Sequence, residues 1–403
     1  MRQNYDVVII GGGASGMIAA VKAAESGRSV LLLDKNQTLG RKILASGNGR
    51  CNLLHYGEHH YYGDTCFAEN VFDHCTPDML IHFFNHYGLM LAMEPDGRMY
   101  PATYQSSSVV SLFKTALELN HTDIILNTPV RSVSGNKGCF VVDISNGRQI
   151  KSERVVITCG GCAQKKLGGS EDGYHFLQKL GHSIAPVFPS LVPLVTDQKS
   201  ISGLSGIRVR CDVSAVCSSV VLFRTTGELL FTDYGISGIC VMQCSRFLQQ
   251  ADAYLEIDFI RDMFPDQKAF LAELIRRRDL FGERSPVSVL EGLVSDRIAY
   301  AVLKQAGIPL RGEKAVKLTD DDLIRIMEKA CHYQVRILDT RGMDYAQVTA
   351  GGVNCSEFDP CTMESRIVPG LYAAGEVLNV DGDCGGYNLM FAFATGYIAG
   401  VSC

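Results

Sequence analysis

The chain has 403 residues, 46% of them hydrophobic, which is enough for two or three domains with a large core. Its formal net charge of −5 argues against a nucleic-acid partner held by phosphate contacts. No apolar run reaches the ~20 residues needed to cross a bilayer. The 15 cysteines are an odd number in a long chain without a recognisable secretory signal, which favours a reducing compartment over disulfide scaffolding. We therefore expect a cytoplasmic protein without a membrane or nucleic-acid partner.

The first residues carry a glycine-rich turn in a favourable context. Residues 5–10 read YDVVII, a short apolar run typical of a buried strand, and GGGASG follows at once. Gly11, Gly13 and Gly16 match the dinucleotide fingerprint. One such glycine permits the turn, one lets the backbone approach a pyrophosphate, and one lets the next helix pack on the strand.

The segment after the turn completes this signal. Ala14 and Ser15 begin an apolar helix whose N-terminal N–H groups suit a phosphate, and Gly27 is placed to end it. A second buried strand over residues 29–33 then runs into Asp34, close to the ~20-residue spacing expected for the acid that accepts hydrogen bonds from an adenosine ribose. Strand, glycines, helix, strand and acid together predict a bound dinucleotide.

The remaining chain reads as alternating elements. The basic, glycine-rich segment after Asp34 is predicted to lack regular structure. Residues 346–403, which we call the closing stretch, return to buried strands and glycine turns. We therefore expect the closing stretch to complete the first domain, with the middle of the chain inserted into that domain. The pattern predicts helices at 64–88 and 106–120 around a hairpin at 89–104, short strands over 123–150, a strand at 154–157, a helix at 172–181, mainly strands over 192–259, helices over 262–307 and 320–331, and a strand at 332–339.

The closing stretch contains two candidate cofactor contacts. Gly375 and Glu376 follow a short strand, where a carboxylate would suit a ribityl hydroxyl. Gly386 and Asn388 stand at the start of a long apolar helix, whose N-terminus would stabilise negative charge on the pyrimidine side of an isoalloxazine ring. An ordinary glycine turn before a core helix is the alternative interpretation.

Four motifs together carry a resemblance to a known family. They are GRKILASGNGRCN at 40–52, LFTDYGISG at 230–238, VTAGGV at 348–353 and TMESRIVPGLYAAGEVLNVDGDCGGYN at 362–388. The chain resembles, nearly end to end, the bacterial NAD(P)/FAD-dependent oxidoreductases of the aminoacetone-oxidase-like and bile-acid-dehydroxylation type. The resemblance implies an α/β fold with a discontinuous Rossmann-like FAD-binding domain, an inserted β-barrel-like domain and a small helical domain within the latter.

The residue patterns described above and the resemblance together imply the domain bounds and the cofactor contacts. The FAD-binding domain would cover 1–190 and 346–403, the β-rich substrate domain 191–260 and 332–345, and the helical insertion 261–331. Cofactor contacts are expected from the following residues: Gly11, Gly13, Ala14, Ser15, Gly16, Asp34, Lys35, Gly40, Arg41, Lys42, Ser46, Gly47, Gly49, Arg50, Cys51, Asn52, Val130, Gly160, Gly161, Gly375, Glu376, Gly386, Asn388 and Leu389.

Two positions depart from the family pattern. Thr158 and Cys159 stand where the family usually has Ala-Thr, which leaves the backbone role of Gly160 intact. Ile239 stands where a proline usually follows the second glycine of the 230–238 loop, and this affects the substrate side.

Other candidate motifs are interpreted as structural. The CxxC at 159–162 invites a redox-dithiol interpretation, but small residues packed beside the cofactor are favoured. Cys51 is interpreted in the same way as a lining residue rather than a nucleophile.

The histidines and the basic run also lack a functional pattern. The pairs His55–His59 and His82–His86 have neither a metalloprotease glutamate nor a third ligand, so no metal site is predicted. The arginine run at 276–278 is interpreted as a solvated helical face.

The predicted activity is FAD-dependent oxidation or reduction of a small molecule. No second glycine fingerprint follows the first, so NAD(P)H is expected only as a transient reductant. The resemblance implies two activities, reduction of a conjugated double bond in an organic or steroid-like substrate and oxygen-dependent amine oxidation. The cysteine-rich composition favours the reduction, since an oxidase needs oxygen. A flavoprotein that acts on or binds RNA, and one that holds FAD without turnover, remain open. Tyr100, Tyr104 and Tyr387 are unranked candidates for a proton donor, and the oligomeric state is undetermined.

Overall fold

The computed structural model describes residues 2–58, 60–249, 252–261, 263–310 and 312–403. The chain divides into two compact units. The first unit, Met1–Pro189 with Gln347–Cys403, is discontinuous in sequence, and the second, Ser190–Ala346, is inserted into it. A further division of the second unit into two domains stays a prediction.

Strands and helices alternate along most of the chain. The strands are β1 (Asn4–Ile10), β2 (Val30–Leu33), β3 (Leu54–His55), β4 (Tyr61–Gly63), β5 (Leu91–Met93), β6 (Arg98–Pro101), β7 (Asp123–Ile125), β8 (Val130–Ser134), β9 (Phe140–Ile144), β10 (Gln149–Ile157), β11 (Ile184–Ser190), β12 (Leu194–Thr196), β13 (Arg208–Cys217), β14 (Val220–Phe231), β15 (Gly235–Ser237), β16 (Ala253–Asp258), β17 (Tyr333–Thr340), β18 (Val348–Val353), β19 (Leu371–Ala373) and β20 (Val380–Gly382). The α-helices are α1 (Ala14–Glu25), α2 (Arg41–Ala45), α3 (Thr65–His74), α4 (Pro77–His86), α5 (Ser106–Leu119), α6 (Asp172–Lys179), α7 (Gln198–Ile201), α8 (Ile239–Cys244), α9 (Gln267–Leu280), α10 (Asp296–Gln305), α11 (Asp320–Cys331) and α12 (Tyr387–Ser402).

A central sheet organises the first unit. Strands β7, β2, β1 and β10 lie side by side in that order and run parallel. On the far side of β10, strand β19 pairs in parallel with its end, while antiparallel β9 pairs with its start and β8 extends the sheet. Because the parallel strands end in register, Ile10, Leu33, Ile157 and Ala373 bring their following loops to one edge.

Helices α1 and α12 pack closely in the first unit. A Cβ added at Gly396 would lie 2.3 Å from the Ser15 carbonyl oxygen, and one at Gly400 would lie 2.5 Å from that of Ala19. Only glycine therefore allows the two backbones to approach this far. Within the described part of the chain, no helix combines the length and the apolar character needed to span a bilayer.

The second unit is built on a closed antiparallel barrel. Its strands follow the order β12, β15, β14, β13, β16 and β17, and β17 pairs back with β12. The helices α9 to α11 share one hydrophobic core with the barrel, in which Leu255, Phe270 and Val302 are fully buried. This sharing explains why the helices and the barrel form one compact unit.

The predicted helices and strands are confirmed by the structure, except in the segment after Asp34. Pro77 opens α4 behind a Thr76 cap, and α11 spans the predicted residues 320–331. The prediction of irregular structure after Asp34 is wrong in part, because Arg41–Ala45 forms α2 and a short 3₁₀ turn follows. The left-handed Gly40 allows the chain to enter α2, where the Leu44 N–H bonds to the Gly40 carbonyl oxygen. The predicted helical start at Asp262 lies outside the described residues.

A buried histidine makes the stability of the first unit dependent on pH. The His182 side chain is fully buried, and burial lowers its pKa. Its Nδ1–H donates to Glu357 at 2.8 Å, while Nε2 accepts from the Ser365 hydroxyl at 3.0 Å. In the unfolded chain the His182 imidazole takes up a proton near pH ~6.5, whereas burial in the folded chain disfavours its protonated form. The free energy of unfolding therefore has its full value above that pH and decreases as the pH falls below it.

We therefore expect the melting temperature to drop between pH 7 and pH 5 partly through His182. The variant His182→Asn lowers stability at pH 7 but flattens this pH slope. The exposed His175→Gln serves as a control that keeps the slope. An unchanged slope in His182→Asn would contradict the assignment.

Candidate functional site

The turn from β1 into α1 separates the roles of its three glycines. Gly11 has a φ of +113°, and a Cβ there would lie 2.3 Å from the Thr158 carbonyl oxygen. A Cβ at Gly16 would lie 1.8 Å from the Gly11 carbonyl oxygen, so this glycine lets α1 pack against the turn. A Cβ at Gly13 would meet nothing within 4 Å. Gly13 therefore borders open space, as expected of the glycine that a pyrophosphate approaches.

The N-terminus of α1 and the end of β2 lie together beside this space. Gly13 is the N-cap residue of α1, and no side chain caps the helix there. The buried Asp34 accepts hydrogen bonds from the N–H groups of Gly12 and Asn36, both at 2.6 Å. Uncapped N–H groups at the positive end of the α1 dipole suit a phosphate. Thr128 donates its N–H to the Asp34 carbonyl oxygen at 3.0 Å, two residues before Val130 begins β8.

Two of the predicted basic residues are engaged by other parts of the first unit. Lys35 contacts Asp172 at 2.9 Å and the Ser170 hydroxyl at 2.5 Å. Arg41 donates to the Asn36 side chain at 3.0 Å and to the Lys166 carbonyl oxygen at 2.7 Å. These contacts brace the loops around the site, and cofactor contacts of Lys35 and Arg41 stay a prediction.

An ion pair joins the two parts of the sequence that form the site. Lys42 lies 2.6 Å from Glu376, whose other carboxylate oxygen accepts the Thr349 N–H at 2.8 Å. A Cβ at Gly161 would lie 2.5 Å from the Thr349 hydroxyl, and one at Gly160 would lie 3.8 Å from Glu376. The Gly160–Gly161 turn, the 40–52 loop and the closing stretch therefore converge on the Glu376 carboxylate.

The loop after α2 is folded tightly upon itself. The Ser46 hydroxyl donates to the Ile43 carbonyl oxygen at 2.7 Å, and the Cys51 N–H donates to the Ser46 carbonyl oxygen at 3.1 Å. Residues Gly47, Asn48, Gly49 and Cys51 all have positive φ. Arg50 extends over the Tyr104 ring, with 5.9 Å between the guanidinium carbon and the ring centroid.

The start of α12 meets this loop at a buried polar atom. A Cβ at Gly386 would lie 2.4 Å from the Leu54 carbonyl oxygen and 2.8 Å from Asn52 Oδ1. Asn52 Oδ1 is buried and has no hydrogen-bond partner within the described residues. A buried acceptor without a donor is costly in a folded protein. A ligand with an N–H group, such as a flavin ring, fits this requirement.

Other contacts hold the closing stretch in place. The Gly375 N–H donates to Thr395 in α12 at 2.9 Å. The Asn388 side chain both accepts from the Gly382 N–H and donates to its carbonyl oxygen, each at 2.8 Å, so it fixes the end of β20. The next residue, Leu389, is half-buried in the first turn of α12.

Tyr387 begins α12 and is one of the three candidate proton donors. Its ring stacks on His55 with centroids 4.3 Å apart, and burial raises its pKa to about 12. Of the other candidate donors, the Tyr104 hydroxyl donates to Glu94 at 2.9 Å and the Tyr100 hydroxyl accepts from Arg98 at 3.4 Å. The Tyr387 hydroxyl has no such hydrogen bond to a described side chain, and its role as a proton donor stays a prediction.

The buried cysteines have the chemistry of packing residues. Burial raises the pKa of Cys51 to about 11, of Cys159 to about 12 and of Cys162 to about 11. All three are therefore thiols at neutral pH, which argues against a thiolate nucleophile or a redox dithiol. Over the described residues, no three His, Cys, Asp or Glu side chains are grouped to hold a metal ion. His59 lies outside the described residues.

Sequence analysis missed three residues that organise the site. The Asn36 side-chain amide donates a hydrogen bond to Asp34, the Thr349 N–H donates to Glu376, and the Thr395 hydroxyl accepts the Gly375 N–H. A signal existed for Thr349, since it lies within the VTAGGV motif at 348–353. Thr395 is a fully buried polar residue in an apolar helix, which is an unusual position for threonine.

The family match and the full-length relatives identify the chain as an FAD-dependent oxidoreductase, as predicted. The chain belongs to the family described as HI0933-like protein Rossmann domain, whose sequence profile matches residues 5–402. The predicted α/β fold class is also confirmed, with a parallel sheet in one unit and a closed barrel in the other.

Three similar proteins cover nearly the whole chain. The chain is 36% identical to "3-dehydro-bile acid delta(4,6)-reductase" of Clostridium scindens, over 97% of both sequences. It is 30% identical to "Ribosomal RNA dihydrouridine synthase" of Escherichia coli, over 98% of this chain and 97% of the relative. Among solved structures, 3-ketosteroid delta1-dehydrogenase from Sterolibacterium denitrificans shares the fold, with a TM-score of 0.52 and 14% identity over 99% of both chains.

The unpaired oxygen of Asn52 leads to a prediction about stability and cofactor affinity. Replacing Asn52 with leucine removes a buried acceptor that lacks a donor, so the FAD-free protein should melt at the same or a higher temperature. FAD affinity should fall by about 10-fold, because the acceptor would be absent from the complex. Titration of the FAD-free variant with FAD, together with its melting curve, checks both effects. A lower melting temperature without a change in FAD affinity would contradict this role of Asn52.

Proposed function

We propose that this protein uses FAD and NAD(P)H to reduce a carbon–carbon double bond conjugated to a carbonyl group in a steroid-like substrate. The observation that carries the proposal is the combination of a flavin-compatible site with a full-length relative named as a bile acid delta(4,6)-reductase. The name of the 30% identical relative, a dihydrouridine synthase, also describes hydrogen added to a conjugated double bond. The shared chemistry is therefore the reduction, and the substrates differ.

The residues of the first unit fit FAD in four places. The open space at Gly13 and the uncapped N-terminus of α1 suit the diphosphate, and Asp34 suits the adenosine ribose. Glu376 suits a ribityl hydroxyl, and the Asn52 oxygen suits a ring N–H. When bound, FAD supplies two-electron hydride chemistry that no side chain can provide.

The predicted contacts of the other residues belong to the same proposal. The tight backbone of the 40–52 loop and the Gly160–Gly161 turn would enclose the cofactor. The N-terminus of α12 at Gly386 would favour negative charge on the reduced ring.

The chain itself would supply the proton for the reduction. Adding hydrogen to a conjugated double bond requires a proton at the carbon next to the carbonyl group, besides the hydride at the far carbon. Tyr387 is protonated at neutral pH, because burial raises its pKa to about 12. Its hydroxyl makes no hydrogen bond to a described side chain, whereas those of Tyr100 and Tyr104 bond to neighbouring side chains. We therefore assign Tyr387 as the proton donor.

Charge distribution favours a small substrate over RNA. The three arginines of the α9 run are matched by three carboxylates, since Arg276 and Arg277 contact Glu273 and Arg278 contacts both Asp279 and Asp320. Together with the net charge of −5, this pairing leaves the helical face without the excess positive charge that RNA binding needs. RNA remains the second candidate because of the full-length relative that carries this name.

The test uses the intact yellow protein without oxygen. NADH or NADPH is added, and loss of the oxidised flavin band is followed. We expect bleaching that persists until a 3-oxo-4,6-diene steroid is added, and saturation of the steroid double bond in the product. Recovery only with a uridine-containing ribosomal RNA fragment would assign the activity to RNA. Bleaching by small amines, with recovery in air, would make the protein an amine oxidase. If no reductant bleached the flavin, the cofactor would be structural.

A further inference from the structure

Two buried cysteines lie against each other in the core of the second unit. Cys211 in β13 is 4% exposed, and Cys240 in α8 is 1% exposed. Cys211 faces Gly227 across the pair of β13 and β14, and a Cβ at Gly227 would lie 3.1 Å from Cys240 Cβ and 3.5 Å from Cys240 Sγ. The missing side chain of Gly227 therefore leaves room for Cys240 beside Cys211. We call Cys211 and Cys240 the barrel dithiol.

The Cys240 sulfur is surrounded by hydrogen-bond donors. It accepts from the Cys211 thiol and from the backbone N–H groups of Cys240 and Val241 at the start of α8. The hydrogen bond between the two thiols lowers the pKa of Cys240 and raises the pKa of Cys211, so that a single negative charge is favoured on Cys240. Three donors around one sulfur stabilise its thiolate, which is the form of cysteine that reacts with oxidants.

The barrel dithiol differs from the other buried cysteines. Burial raises the pKa of Cys75 and of Cys331 to about 12. It also raises the pKa of both cysteines of the CxxC motif, Cys159 and Cys162. Among the described cysteines with a shifted pKa, only Cys240 has a pKa below its ordinary value. The dithiol chemistry that the CxxC spacing suggests is therefore found at a pair that no sequence motif marks.

The barrel dithiol lies close to the surface of the second unit. Ile239, which precedes Cys240 in the six-residue helix α8, is 49% exposed. Small local openings of so short a helix admit a molecule of the size of water, whereas a bulky oxidant needs a much larger opening. The site therefore favours a small oxidant such as a hydroperoxide.

We propose that the barrel dithiol is a site of reversible oxidation, at which a hydroperoxide converts the two thiols into a disulfide. With hydrogen peroxide, the Cys240 thiolate attacks one oxygen, the O–O bond breaks, and hydroxide leaves as Cys240 becomes a sulfenic acid. The Cys211 thiol then attacks the Cys240 sulfur, loses its proton and displaces water as the S–S bond forms. The two sulfurs together lose two electrons, and the peroxide is reduced to two molecules of water.

The disulfide would join β13 to α8, directly after the LFTDYGISG motif at 230–238. It would therefore hold the end of this loop against the barrel wall. This inference goes beyond the proposed function and does not rest on it.

The experiment treats the intact, FAD-loaded protein with hydrogen peroxide. Remaining thiols are then blocked with iodoacetamide, and disulfides are mapped by peptide mass spectrometry. We expect a cross-link between the Cys211 and Cys240 peptides that dithiothreitol reverses and that forms at least about 10-fold faster than Cys331 is oxidised. Glutathione disulfide should not produce this cross-link, because it is too large to reach the buried pair.

Two variants separate the roles of the cysteines. In Cys211→Ser, the serine hydroxyl still donates to Cys240 but cannot form a disulfide, so oxidation should stop at a sulfenic acid that dimedone labels. Cys240→Ser should abolish both the cross-link and the dimedone label at this site. Cys331→Ser is the matched control, since Cys331 is a buried cysteine of the same unit, and its cross-link should form at the rate of the unmodified protein.

The unmodified protein already decides the question if a variant fails to fold. A cross-link that forms only after denaturation would overturn the proposal, and so would equally fast oxidation of Cys331. Cross-linking by glutathione disulfide as fast as by hydrogen peroxide would contradict the choice of oxidant. Because neither a substrate nor NAD(P)H is present, failure of the proposed reduction would leave the outcome of this experiment unchanged.

Discussion

Gly16→Ala is expected to yield a protein that neither folds stably nor retains FAD. The new Cβ would lie 1.8 Å from the Gly11 carbonyl oxygen and 2.7 Å from the Thr158 hydroxyl. The first contact is with backbone that forms the turn itself, so the clash cannot be relieved by moving a flexible side chain. We expect a loss of about 3 kcal/mol or more in the free energy of unfolding, and almost no flavin in the purified protein.

Gly13→Ala is the matched control because its Cβ meets nothing within 4 Å and its φ of −83° is accessible to alanine. The free energy of unfolding of the FAD-free variant should lie within about 0.5 kcal/mol of that of the unmodified protein. Its FAD affinity should nevertheless fall at least about 10-fold, because the methyl group occupies the space that the diphosphate approaches. The flavin-to-protein absorbance ratio and the melting curve separate the two effects. Full FAD retention in Gly13→Ala would show that the diphosphate lies elsewhere.

The second large effect is expected from Tyr387→Phe. Removing this hydroxyl should lower turnover of the enone substrate by about 100-fold, the usual range for loss of a general acid. Flavin content should remain unchanged, because Tyr387 packs against His55 through its ring. The rate at which NAD(P)H bleaches the flavin band should also stay the same, since that step needs no proton from Tyr387.

Tyr100→Phe is the control for this prediction, since the Tyr100 hydroxyl bonds to Arg98. We expect Tyr100→Phe to lower turnover of the enone substrate by tenfold or less. The solvent deuterium isotope effect is a further measurement that a structural role of Tyr387 would not change. The ratio of the enone reduction rates in H2O and D2O should differ between the unmodified enzyme and Tyr387→Phe. Equal turnover in Tyr387→Phe and the unmodified enzyme would remove Tyr387 from the reaction.

The sequence by itself determined the local architecture of the glycine-rich turn between β1 and α1. The order of strand, glycines and helix at residues 5–25 is visible in local residue types and spacing, whereas β1 acquires its hydrogen-bond partners only from β2 and β10. The same holds for α11, whose capping box joins Thr319 and Asp322. The helix α2 was missed because glycines on both sides suggested a loop, whereas Gly40 only provides the left-handed entry to the helix.

Only the tertiary structure decided which polar groups meet. Lys42 and Glu376, which are 334 positions apart in the sequence, form an ion pair, and Lys35 forms another with Asp172. The unpaired oxygen of Asn52 is equally hidden in the sequence, because its burial depends on how the 40–52 loop packs against α12.

The Arg341 side chain, which lies between the rings of Tyr234 and Tyr345, illustrates the same limit. Tyr234 and Arg341 are distant in the chain and become neighbours only when the barrel closes between β12 and β17. Glycine conformations and helix caps are set by covalent geometry and near neighbours, so their patterns are visible in a sequence. Side-chain partners across a sheet or barrel depend on strand order and register, which arise from the packing of the entire core.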